Sequence, residues 1–502
     1  SSSCWSQRTL GRSPCCLFAA DAATRTMASF PNKGNKPLSA ALLRRRLDGS
    51  GWAPVAWDRF GGPPPRITRC YPFKAKRKAI VVVDACSTGA SLAGDAAARG
   101  YEIVHVPSLP QTPELAAATP EEFSGRLPWL AEISADGRDA ATVAARLEEL
   151  LAAHGLGLAA VLPGAAASAE LADRLVESVR AWAPRVRGNA PATAERRRSK
   201  WAALEAVRAY GLKHPRSPRT PGVRAPRQCC AAAWEPVQAW LAETWPTADI
   251  DVVVKPAASA GGDGVTRCRS YDDARRAVDA ILGKTNALGA TNDEALVQEY
   301  LHGAEYVVDG VSRKGRHKVA ALWKRDVRDD LVTRGLELVS NADPYADAVT
   351  AFAASVLDAI DLANGPSHVC VKVDPATDLV WLLSARARFH GLDGFWRTVV
   401  EECAGPDQVG AALEGIRAEG FHLLPPTAPE TLRCQGRVRF LLIHAQGSLE
   451  SIDADVTHEI CQLASYRGHE LFVEAGQAVV PTVDGFTYGG CVRLAHADLG
   501  QL

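Results

Sequence analysis

The chain has 502 residues and a single methionine, Met27, which does not begin it. Two readings of that feature stand side by side. In one, residues 1–26 are upstream translation or part of a longer precursor, and Met27-Ala28-Ser29 is the start. In the other, residues 1–46 are a targeting segment, rich in Ser and Arg with Asp21 as the only acid. Leu38–Arg46 (LSAALLRRR) would then be a short basic amphipathic helix of the plastid or mitochondrial kind. Other absences exclude more. No apolar run approaches the roughly 18 residues that suggest a membrane-spanning helix, so none is expected. Lys+Arg and Asp+Glu number 57 each, for a formal net charge of zero. That removes the long-range field of a general polyanion or membrane-surface binder, and no nucleic-acid partner is expected. None of the thirteen cysteines forms a CxxC pair, which excludes the zinc-ribbon and redox motifs. Their scatter fits reduced thiols in an intracellular protein. His458, Cys461 and His469 read as a coincidental cluster, and no metal ligand is assigned.

With 47% hydrophobic and 23% charged residues, the chain has ample core material. Its length suggests about three folded units. Residues 1–75 read as an N-terminal extension ending in the linker Gly61–Arg66 (GGPPPR). Residues 76–190 read as a parallel α/β unit, with strands at Ile80–Asp84, Glu102–Val106 and Leu158–Leu162. Helices at Ser91–Arg99, Asp139–Ala153 and Ala169–Trp182 alternate with them. The turn Ser87–Ala90 lacks both GxGxxG and GxxxxGK[ST], so it reads as a plain tight turn. Residues 191–400 form a second unit, opening with a helix over Ala194–Tyr210 that ends at Gly211. His214–Cys230, with four prolines and four arginines, reads as an extended exposed loop. Residues 401–502 read as a small mixed β lobe, with strands at Arg437–His444 and Leu471–Val480 and a turn at Gly447.

The most informative segment is Ile250–Arg267, IDVVVKPAASAGGDGVTR. A lysine leaving a strand into a glycine-rich loop is a way to hold phosphates: the ammonium neutralises charge and loop N–H groups close over the oxygens. Leu296–Gly310 (LVQEYLHGAEYVVDG) follows as two strands broken at His302-Gly303. Taken with Lys200 and the ARxHG element at Ala387–Gly391, these motifs resemble the ATP-grasp superfamily, and within it the carboxylate–amine (amino-acid) ligases. The resemblance implies an α/β (α+β) ATP-grasp fold with a parallel α/β pre-grasp domain and a C-terminal β lobe. It also implies ATP as cofactor, an amino-acid-like small molecule as substrate, and protein partners or a homo-oligomer as further options. It implies that Lys200 and Lys255 contact the phosphates, and that Ser259, Gly261, Gly262 and Gly264 belong to the lid loop. Glu299, Tyr300 and Leu301 would form the adenine hinge, Glu305 would accept from the ribose hydroxyls, and Arg388 would face the acyl phosphate or carboxylate.

Related ligases hold magnesium with one glutamate in an H-x-E strand and a second about four residues before the arginine of the ARxHG element. Cys370 occupies the first position, and Ser384, or Leu383 if a residue has been inserted, occupies the second. Arg386 adds a positive charge where the metal would sit. A thiol and a hydroxyl do not replace two carboxylates for a hard cation. The sequence therefore leaves two readings, an ADP-forming ligase with impaired metal-dependent catalysis and an inactive ATP-grasp scaffold or regulatory subunit. Asp374 and Asp393 are substitute acids, with Asp374 placed in a turn that points it away.

Overall fold

The computed structural model describes residues 77–502 apart from 109–128, 136–138, 166–167, 215–222, 248, 260, 288–289, 499 and 501. Met27, the segment 1–46 and the linker at 61–66 lie outside the described residues. The first sheet is built from apolar runs. β1 (Lys78–Val83), β2 (Glu102–Val106), β3 (Trp129–Glu132) and β4 (Gly157–Pro163) pair in the order β3-β2-β1-β4, all parallel. Val81 and Val83 bury against the helices Ala140–Ala153 and Ala169–Val179, while Ile80 and Val82 bury against Leu92 of the helix Thr88–Ala98. Both faces are covered, which is why the strands read as continuous hydrophobic runs rather than alternating ones.

The expected single helix over Ala194–Tyr210 is in fact two. A short helix, Ala194–Arg198, stops at Ser199, whose backbone is extended, and a second runs from Lys200 to Lys213. Two side chains explain the break. Arg197 is buried and donates to Asp173 Oδ2 at 3.0 Å and to the carbonyls of Ala190 and Asp361, tying the short helix to the α/β unit. Ser199 caps the second helix by accepting from the Ala202 N–H. Gly211 does not end the helix; it sits where a Cβ would meet the Val223 carbonyl at 2.6 Å.

Two antiparallel sheets follow. β5 (Gln228–Ala231), β6 (Val252–Pro256), β7 (Thr266–Cys268) and β8 (Ala295–Glu299) form one in the order β5-β8-β6-β7. The stretch read as a loop through Cys230 thus ends in a strand from Gln228, whose side chain bonds Gln298 across the pair at 2.8 Å. The second sheet has eight strands. β9 (Ala304–Arg313), β10 (Arg316–Val327), β11 (Thr333–Leu338), β12 (Gly365–Asp374) and β13 (Leu379–Arg386) contribute five. β14 (Gln435–Leu441), β16 (Tyr466–Leu471) and β18 (Gly490–His496) extend it in the order β13-β12-β9-β10-β11-β14-β18-β16. β15 (Gly447–Ser448) and β17 (Ala478–Val479) make a separate small pair. The expected strand Leu471–Val480 is therefore displaced: its residues span the end of β16 and the short β17. The helix Ala346–Ala359 packs Val349, Phe352 and Val356 against Tyr306, Val369 and Val371 of the large sheet. No helix among the described residues is long and apolar enough to cross a membrane.

Candidate active site: a cleft between two sheets

The site lies where β6 and its loop face β9, β12 and β13. Alternating burial along β6 puts Val252 and Val254 in the core and leaves Lys255 only partly buried. Its ammonium lies within electrostatic reach of Arg386, Glu305 and Cys370, so the two sheets face each other across the site. Burial first, and then Arg386, push the Lys255 ammonium down to about 8. Lys200, at the start of its helix, donates to the Pro256 carbonyl at 3.1 Å. Burial, with Lys255 and Arg386 close by, holds Lys200 well below the ordinary lysine range. Arg386 is likewise lowered to about 10, by burial and by Arg388. Lys200, Lys255 and Arg386 thus converge on one cleft with Arg388 beside them, the first three destabilised by their surroundings, an arrangement that an anionic ligand would relieve.

The loop after β6 is held in a defined shape. Ser259 Oγ donates to Asp263 Oδ2 at 2.6 Å, and the same oxygen accepts from the Ala287 N–H at 3.0 Å. Gly261, Gly262 and Gly264 all have φ between 64° and 89°, the left-handed region that side-chain-bearing residues adopt only with strain. Gly261 is needed twice over. Its carbonyl accepts from the Gly485 N–H at 2.6 Å, and a Cβ there would meet the Phe486 ring at 2.7 Å. The turn before β18 therefore abuts the glycine-rich loop, a neighbour that sequence separation conceals.

The segment after β8 is equally fixed. Glu299 does not point into the cleft: its carboxylate accepts from Arg227 Nη2 and Nε at 3.2 Å each, and from the Arg227 N–H. Tyr300 donates its N–H to the Asp251 carbonyl, and the Leu301 carbonyl accepts from Lys372 Nζ at 2.9 Å. The Arg267 guanidinium lies 3.4 Å over the Tyr300 ring. Glu305, buried on β9, is bonded to Arg325 on the adjacent β10, which also donates to Thr333 Oγ1 at 2.5 Å. Burial alone would lower the Arg325 pKa, but Glu305 outweighs it and raises it.

At the other end of the cleft, Cys370 on β12 pairs directly with Ser384 on β13. The register shifts beside Cys370, so that Val371 pairs with Leu382. Leu383 is the extra residue of a β-bulge, and Ser384 is the residue opposite Cys370. Burial first raises the Cys370 thiol above its usual range, partly offset by Arg325 and by a bond with Ser384. Asp374 bonds the Ala376 N–H and the Thr377 hydroxyl in its own turn, as the turn reading anticipated. Asp393 has left-handed backbone and accepts nothing at its buried Oδ1; burial first, with Glu470 near, raises it to about 7. Its N–H bonds Ser87 Oγ at 3.2 Å, and Thr88 Oγ1 donates to the His390 carbonyl, so the loop after β13 rests on the start of the helix Thr88–Ala98.

One cluster escaped sequence reasoning. Asp309, fully buried on β9, accepts from His368 Nδ1 at 2.7 Å on one oxygen. His390 Nδ1 at 2.7 Å and Trp323 Nε1 at 3.0 Å share the other. Burial would raise the Asp309 carboxyl, but the two imidazoles outweigh it and hold it below the usual carboxylate range. Burial, and then Arg388, push His368 down to about 3. The H-x-C spacing on β12 and the Asp of YVVDG were both visible; their meeting depends on the His368↔Asp309 pairing of β12 with β9. The cluster at the C-terminus is looser: Cys461 Sγ is 3.9 Å from His469 Nδ1, which Tyr466 already bonds at 2.7 Å.

A glycine-rich loop on a small antiparallel sheet thus faces a large sheet, with lysines between them. The chain carries an ATP-grasp domain: residues 248–392 match that family. It is similar to dapdiamide A synthase of Enterobacter agglomerans, 29% identical over 345 residues, which cover 68% of this chain and 73% of that protein. Its fold is similar to that of L-amino acid ligase from Bacillus licheniformis, with TM-score 0.61 and 14% identity over 85% of this chain and 95% of the other. It is also similar to carboxyaminoimidazole ribonucleotide synthase from Aspergillus clavatus complexed with ATP, with TM-score 0.55 and 16% identity over 84% and 95%. The fold is thus that of ATP-grasp amino-acid and carboxylate–amine ligases.

Proposed function

We propose that this chain is an ATP-binding protein derived from ADP-forming carboxylate–amine ligases, in which metal-dependent ligation is lost or severely impaired. In this reading residues 76–190 are the pre-grasp domain, 191–400 the ATP-grasp domain and 401–502 the post-grasp lobe. Lys200 and Lys255 hold the phosphates, and the loop containing Ser259, Gly261, Gly262 and Gly264 covers them. Backbone groups of Glu299–Leu301 beyond those already bonded to Asp251 and Lys372 read the base, and Arg388 faces the acyl phosphate or the carboxylate of an amino-acid-like molecule. Glu305, being paired with Arg325, takes ribose hydroxyls only on the lone pairs that this pair leaves. The observation that carries the reading is the facing pair Cys370 and Ser384 on the strands that also pair His368 with Arg386; the resemblance assigns the metal glutamates to those two positions. Magnesium takes hard oxygen ligands, commonly carboxylates. A neutral thiol, a hydroxyl and a guanidinium do not fit it, and Glu305 is already committed.

When bound, ATP would supply a phosphoryl group. This chain's own residues neutralise its phosphates and exclude water beneath the loop. Calorimetric titration with ATP, first in EDTA and then in magnesium, tests the reading. Binding of similar strength in both supports it, whereas binding that requires magnesium sinks it. A catalytically inactive scaffold or regulatory subunit is the second reading; failure of ATP to bind at millimolar concentration would favour it.

A further inference from the structure

We propose that Asp309, His368 and Cys370 form a nucleophilic triad that takes an acyl group from a small acyl phosphate onto the Cys370 sulfur. The geometry is that of a nucleophile, a base and an orienting acid. Cys370 Sγ lies 3.4 Å from His368 Nε2, within reach for a sulfur donor, and His368 Nδ1 lies 2.7 Å from Asp309 Oδ1. The carboxylate fixes the tautomer: with the proton on Nδ1, Nε2 carries the lone pair that faces the thiol. Asp309 cannot turn away, because His390 and Trp323 hold its other oxygen and His390 is stacked on Trp396 with ring centroids 5.1 Å apart. The donor class follows from the surrounding charge. Arg386 pairs with His368 across β12 and β13, with Lys255 in electrostatic reach of Cys370 and Arg388 in reach of His368, and these cations suit a leaving group that is a phosphate dianion.

The chemistry balances without an oxidant or nucleotide. The sulfur attacks the carbonyl carbon and its proton passes to His368 Nε2. A carbon–sulfur bond forms, the bond from the carbonyl carbon to the phosphate oxygen breaks, and phosphate leaves with the proton. Water or an amine then attacks the thioester, gives its proton to His368, and the sulfur regains it. Asp309 is the positioning residue in both halves. This inference does not depend on whether ATP binds or metal-dependent ligation survives, so its test is independent of that reading.

The test uses the full chain and acetyl phosphate, with peptide mapping by mass spectrometry in EDTA and without nucleotide. Cys370 is buried while Cys229 and Cys230 are partly exposed. The proposal requires Cys370, despite its burial, to be acetylated faster than either. Acetylation of Cys370 no faster than of these two, or none, overturns it in the unmodified protein alone. His368→Gln is expected to abolish the advantage; retention of the full rate would refute the base. Asp309→Asn is expected to lower the maximal rate with the half-saturating acetyl phosphate concentration unchanged. An unchanged maximal rate would remove Asp309 from the triad.

Discussion

The two ends of the cleft resolve the same electrostatic problem differently. At the loop end, Lys200 and Lys255 are held below the ordinary lysine range by burial and by cationic neighbours. At the sheet end the acids are met internally: Glu305 is bonded to Arg325, and Asp309 is bonded by two imidazoles and an indole. The loop end is arranged to receive an anion, while the acids of the sheet end are paired within the protein. An anion that needs only the first end is well served.

The largest expected effect falls at the boundary between the two ends. Arg325→Leu leaves Glu305 buried without its partner, and removing one member of a buried pair typically costs about 3–5 kcal/mol. A denaturant melt would show a large drop in midpoint; a change under 1 kcal/mol would mean that the acid is answered elsewhere, Lys255 being the nearest candidate. Next comes Lys255→Ala, which removes a charged donor worth about 1.5–3 kcal/mol, or roughly 10- to 150-fold in ATP affinity. An affinity within twofold of the unmodified protein would place the phosphates elsewhere.

The pH dependence sharpens the contrast. ATP phosphates favour the charged lysine, so binding is fullest below about 8, where Lys255 is protonated in the free protein. Above that value binding must take up a proton, and affinity falls by up to about tenfold per pH unit. Titrations from pH 7 to 9.5 should therefore show weakening, and flat affinity would remove Lys255 from the phosphate site. The smallest effect is at the loop. Gly261→Ala places a Cβ against Phe486 at a left-handed position, costing about 1–3 kcal/mol of backbone strain. It should weaken ATP binding by a smaller factor than Lys255→Ala, with a modest loss of thermal stability.

The path from sequence to site was uneven for physical reasons. The lysine-plus-glycine loop, the hinge segment and the ARxHG element are each contiguous, so their placement follows from local pattern. The α/β alternation of residues 78–190 is legible for the same reason. Three things were not. The break at Ser199 depends on Arg197 reaching Asp173, a tertiary demand that overrides a strong helical run. The pairing of Ser384 with Cys370 depends on a bulge at Leu383, which shifts register without changing composition. The Asp309 cluster unites residues from 309 to 390, and its members carried no shared motif. Each is a long-range pairing, and none is written in spacing alone.

The central claim is that the sheet end no longer supports metal-dependent phosphoryl transfer. It is tested most directly by ADP formation in magnesium across a panel of amino acids, comparing the unmodified chain with Cys370→Glu/Ser384→Glu. The account predicts no ADP above background for the unmodified chain and magnesium-stimulated ADP for the double variant. Magnesium-stimulated ADP formation by the unmodified chain would contradict it.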